Sequence, residues 1–139
     1  MYVNKAGNMV FAVMTGILIA ATLMMGQKAV APSIKLTTIP PAGEGDPDKT
    51  HLIGGIAHAQ DLSDCKVVVY AHTNTWYVQP TTANPYTAIG SGGNWKTSTH
   101  PGTEYAALLV KSTFKPEPTM DALPSVGGDV LAVDVEPGK

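Results

Sequence analysis

The chain contains no arginine. Sites for nucleic acid and phosphate lean on the planar, bidentate guanidinium and on a net basic face. Here lysine is the only strong base, 14% of residues are charged and the formal net charge is −2, so the composition argues against a nucleic-acid partner. A single cysteine, Cys65, excludes an internal disulfide. Within a strand-like run it reads as a small buried hydrophobe rather than a reactive thiol. Leu62-Ser63-Asp64-Cys65 has the outline of a bacterial lipidation box. However, Asp64 replaces the small residue such a box needs, and the site lies far beyond the long apolar run instead of directly after it.

Charge is missing altogether from residues 6–27, which are bracketed by Lys5 and Lys28. As a helix these 22 positions would reach roughly 33 Å, enough to cross a hydrocarbon core about 30 Å thick. A transmembrane helix is therefore expected here. The rival is a cleaved secretory signal, which needs a shorter apolar centre and an Ala-x-Ala exit. Ala29-Val30-Ala31 is suitably placed, but Pro32 would follow the cut and block it; Ala57-His58-Ala59 sits too far downstream. The retained helix is the preferred reading. Ala12, Gly16 and Ala20 recur on it every four residues, a small-residue stripe of the kind that lets two membrane helices pack closely.

The remainder is a different material. Residues 32–139 hold seven lysines against eleven acidic residues, a formal −4, and are rich in proline, glycine and short β-branched runs. Domain organisation is read as a tail, helix and connector over 1–31 and one domain over 32–139. Alternation predicts a strand at 33–38, ended by Pro40-Pro41. Strand character resumes at 51–57 around Gly54-Gly55, where glycine signals a bulge or a close backbone approach. Residues 66–70 are a continuous apolar run suited to the centre of a sheet, and 76–79 form a short strand closed by Pro80. Residues 87–89 and 94–97 flank Gly90-Ser91-Gly92-Gly93 as a hairpin with a glycine tip. Strands at 105–111 and 130–135 complete the set. The fold class expected is all-β, an antiparallel β-sandwich of seven or eight strands with no helix after residue 31.

Several phrases, Ile53-Gly54-Gly55-Ile56, Lys66-Val67-Val68-Val69-Tyr70-Ala71, Trp76-Tyr77-Val78-Gln79-Pro80, Thr99-His100-Pro101-Gly102 and Tyr105-Ala106-Ala107-Leu108-Leu109-Val110, together resemble a poorly characterised bacterial extracytoplasmic module. Such modules are similar to immunoglobulin-like or carboxypeptidase-regulatory-like sandwiches. The resemblance spans residues 51–135 and implies a fold and a compartment, without an activity.

No motif identifies a reaction. Four histidines at 51, 58, 72 and 100 come without a nucleophile elbow or triad pattern. They also lack the His-x-His or paired-cysteine spacing of a metal site. Glu44, Asp46 and Asp48 could offer oxygen ligands to calcium, but their spacing lacks the full pattern of a calcium loop. Neither an enzyme, a cofactor nor a metal is expected. Aromatics give the one binding hypothesis: Trp76, Tyr77, Tyr86, Trp95 and Tyr105 lie in or beside strands, and the first four are the candidates to contact a ligand or partner, a sugar ring among them. Alternation puts Trp76 and Val78 on one strand face and Tyr77 and Gln79 on the other, so at least one of the Trp76–Tyr77 pair belongs to a core. The expected protein is a single-pass, non-catalytic subunit of the cytoplasmic membrane with its sandwich on the periplasmic side, docking on other subunits of a larger membrane complex. The alternative is an anchored or secreted carbohydrate-binding module.

Overall fold

The computed structural model describes residues 30–139. The expected membrane helix and its Ala12, Gly16 and Ala20 stripe lie outside the described residues. What is described is all-β: β1 (Ser33–Thr38), β2 (His51–His58), β3 (Cys65–His72), β4 (Trp76–Gln79), β5 (Asn94–Thr99), β6 (Glu104–Lys111), β7 (Thr119–Met120) and β8 (Val130–Pro137). A single 3-10 turn at Ser91–Gly93 precedes β5. The strands form two antiparallel sheets, one of three strands ordered β1-β2-β5 and one of five ordered β7-β4-β3-β6-β8.

Period-two alternation explains how the sheets face each other. Ile34, Leu36, Ile53, Ala57 and Trp95 of the small sheet meet Val67, Val69, Ala71, Tyr105, Ala107 and Leu109 of the large one in the central core. The intervening residues Val68, Tyr70, Ala106, Leu108 and Val110 point the other way and are buried as well, with Trp76 and Val78, packed against Tyr86, Phe114 and Leu123 from the connecting loops and Met120 of β7. The large sheet is thus covered on both faces. That is why β3 and β6 read as continuous apolar runs instead of alternating ones. Each fully buried Leu or Val there contributes about 1.5–3 kcal/mol of transfer free energy.

Gly54 and Gly55 mark a close approach in the middle strand of the small sheet. A Cβ on Gly55 would sit 1.9 Å from the Lys35 carbonyl oxygen, and one on Gly54 2.8 Å from that of Trp95. The register of β1 against β2 shifts at this point, between Leu36 and Thr38.

The glycine-tipped hairpin expected between 87–89 and 94–97 is not formed. Thr87 instead bridges Val67 of the large sheet, and β5 pairs with β2 of the small one. The glycines carry the chain from one sheet to the other: Gly93 has φ 86°, and a Cβ there would lie 2.0 Å from the Ala57 carbonyl oxygen. A glycine run between two strand-like segments fits either geometry, and pairing with β2 decides between them.

Candidate functional site: a groove beside β4

The two sheets differ in width, and β4 lies on the part of the large sheet next to β3 and away from β8. Its inner face projects past the small sheet. There Tyr77 stands 39% exposed beside a groove of about 460 Å³. The groove is walled by Gly45 to Pro47, Ala71 and Thr73, Val78 to Thr82, and the His100–Pro101 turn. Prolines 47, 80 and 101 give rigid apolar walls, and the Gln79–Pro80 peptide bond is cis. A smaller cavity of about 250 Å³ adjoins it, sharing Asp46 and Pro101 and adding Glu44, Lys49 and His51.

Buried hydrogen bonds fix the walls. Gln79 is buried, and its Oε1 accepts both the backbone N–H of His100 and the His100 Nδ1–H, each at 2.9 Å. Its Nε2 donates to the Tyr77 carbonyl at 3.3 Å. The Tyr105 hydroxyl, within the core, accepts from Gly102 N–H at 3.0 Å and donates to the Pro41 carbonyl at 2.9 Å. Gly43 N–H donates to the Gly102 carbonyl at 3.0 Å. The loop carrying Pro47 is therefore tied to the turn carrying His100. The Tyr77 hydroxyl donates to Asn74 Oδ1 at 3.1 Å, which holds the ring at the rim.

The four aromatic candidates do not share one exposed face. Trp95 is 4% exposed in the core between the sheets, and Trp76 is 8% exposed under the loop layer on the opposite side of the large sheet. Tyr86 joins Trp76 in that second core, its hydroxyl donating to the Phe114 carbonyl. Trp76 also stacks obliquely on His72, ring centres 4.7 Å apart. Of the four, Tyr77 alone offers its ring at the groove. Gln79 and His100 gave no sequence signal as a pair; the only hint was a proline directly after each, marking two turns.

Burial and the nearby Asp64 and Asp61 push the Cys65 thiol up, keeping it protonated, and its Sγ lies 3.6 Å from the Asp61 carbonyl. Burial, with Glu117 adding to it, pushes the Tyr70 phenol up to about 12. Asp46 Oδ1 accepts the Asp48 N–H at 3.0 Å and its Oδ2 lies 3.9 Å from Lys49 Nζ, an exposed pair. Among the described residues no three His, Cys, Asp or Glu side chains converge as a metal site.

Comparison with protein families, curated proteins and solved structures finds no match. The chemistry of the groove must therefore be read from the groove itself. It is mostly apolar, walled by proline and one aromatic ring, and its buried Gln79 is engaged with His100. Such a surface can hold a ligand by shape and burial.

Proposed function

We propose that the protein is a non-catalytic, membrane-anchored accessory subunit whose extracytoplasmic sandwich docks a partner through the groove beside β4. The observation that carries this reading is the exposed Tyr77 ring set against the rigid wall of Pro47, Pro80 and Pro101. Exposed aromatics in well-walled pockets are typical anchors of protein interfaces. The charge-free run 6–27 supports the anchor, and its Ala12, Gly16 and Ala20 stripe supports packing against a neighbouring helix.

A sugar-binding module is the second reading, favoured by the Tyr77 ring as a stacking surface. Sugars also need several free donors and acceptors for their hydroxyls. Here Gln79 and His100 bind each other and the Tyr77 hydroxyl binds Asn74, while three prolines supply much of the wall, which favours the protein partner.

The deciding experiment is mild detergent extraction of native membranes, followed by size separation of the intact chain and of Tyr77→Ala. The expected result is a large assembly with the native chain and its loss with the variant. A native chain that runs alone overturns the subunit reading. Binding of glycans, lost in Tyr77→Ala, would put the second reading in its place.

A further inference from the structure

The outward face of the three-stranded sheet differs in charge from the rest of the domain. All eleven acidic residues stand outside β1, β2 and β5, although residues 32–139 carry a formal −4. Those three strands hold only Lys35 and Lys96 as fixed charges. The register puts both lysines on one face: Lys35 pairs with Ile56 and Lys96 with Gly54, and residues directly opposite in a ladder point the same way. Ile34, Leu36, Ile53 and Trp95 fill the core on the opposite side. Leu52, two residues before Gly54 on the same face, is 59% exposed. On β2, Ile56 stands beside Lys35 and Gly54 beside Lys96, so the two lysines lie diagonally across the middle strand with only the Ile56 side chain between them.

This face also begins where the charge-free run of 6–27 has just ended. Ser33 opens β1 and pairs with His58, a few residues after Lys28. A connector this short, stiffened by Pro32, keeps the sheet within reach of any bilayer that the run spans.

We infer that the outward face of β1, β2 and β5 lies against an anionic lipid surface, with Lys35 and Lys96 meeting lipid phosphates and Leu52 entering the interface. The inference rests on the membrane-anchor reading and adds an orientation to it. Two lysines near an anionic membrane shift the balance between face-down and free orientations by about 30-fold. For a free protein that would be weak, but a tether makes the contact intramolecular, so a small preference sets the orientation. With this sheet face down, the groove beside β4 lies at the other sheet's flank and is left open to a partner.

The test is acetylation footprinting of the full chain, reconstituted in nanodiscs of pure phosphatidylcholine or with 30% phosphatidylglycerol. Lys35 and Lys96 are expected to react about tenfold more slowly in the anionic discs at low salt, with Lys49 and Lys115 unchanged. High salt should remove the difference, because it screens contacts at this distance. Equal rates in both discs, or protection shared by Lys49 and Lys115, overturn the orientation while leaving the anchor intact. A chain that does not co-float with either lipid overturns the anchor and the orientation together. Lys35→Glu with Lys96→Glu gives a second reading: a fluorophore on Ser98→Cys, blue-shifted in anionic discs, should lose that shift, and its persistence also overturns the inference.

Discussion

Gln79 Oε1 accepts two hydrogen bonds from His100, one from its backbone N–H and one from its ring Nδ1, both at 2.9 Å. A carbonyl oxygen cannot donate, so Nδ1 carries a proton in this arrangement. Reversing the amide would set its NH2 against the backbone N–H of His100, which fixes the orientation of Gln79 as well. One buried side chain thereby joins the end of β4 to the turn after β5, the two walls of the groove.

Replacing Gln79 by Leu keeps much of the volume but leaves the His100 N–H and ring without their acceptor in a partly buried place. A loss of about 2 kcal/mol is expected. Urea unfolding of the detergent-solubilised chain checks it. A midpoint unchanged from the native protein would mean that water replaces the amide and that the walls are not joined through it.

Gly55→Ala probes the small sheet. The added methyl would fall 1.9 Å from the Lys35 carbonyl oxygen, a backbone atom that cannot turn aside. Destabilisation of about 3 kcal/mol is expected, since β1 must separate from β2 to admit it. Gly45→Ala is the control: its methyl meets Thr73 Cγ2 at 3.5 Å, an ordinary contact, and thermal unfolding should be unmoved.

Tyr70 ties stability to alkaline pH. Its phenol is pushed up to about 12, first by burial and then by Glu117, while its hydroxyl donates to the Glu117 carbonyl at 2.8 Å. An unfolded tyrosine titrates near 10. The folded state therefore holds this proton after the unfolded chain has lost it. The stabilisation is full below about pH 10 and is lost as pH rises from about 10 to about 12. Tyr70→Phe should cost about 1 kcal/mol at neutral pH and show a shallower fall in urea midpoint between pH 9 and 11 than the native chain. Parallel falls in the two proteins would contradict the assignment.

Much of the fold was legible because local signals and tertiary packing agree. The apolar run 66–70 is central in the larger sheet, the segment 33–38 alternates as an outer strand should, and Pro80 ends β4. That one of Trp76 and Tyr77 would be buried was readable from their alternation, though not which, and the burial of Cys65 was readable from its place in a strand. The pairing of β5 was not, because glycine at 90, 92 and 93 permits a tight hairpin as readily as a crossing between sheets. The groove was illegible for a different reason. It arises from the unequal widths of the two sheets and from a contact between residues 79 and 100, and neither leaves a pattern in a single stretch of sequence.

The two neighbouring aromatics of β4 separate structure from binding. Trp76 is 8% exposed beside Met120, its partner on β7, in a core that Leu123 also covers, whereas Tyr77 is 39% exposed at the groove rim. Trp76→Ala removes a buried indole and opens a cavity, for an expected loss of about 3–5 kcal/mol. Tyr77→Ala removes an exposed ring and one hydrogen bond to Asn74, for less than about 1 kcal/mol. If the groove is the docking surface, Tyr77→Ala abolishes assembly while unfolding at nearly the native temperature, and Trp76→Ala lowers assembly only in proportion to the unfolded fraction. The checks are thermal unfolding and size separation on the same preparations. Assembly retained by Tyr77→Ala would remove the groove from the interface and leave the charge-free run 6–27 as the remaining candidate for partner contact.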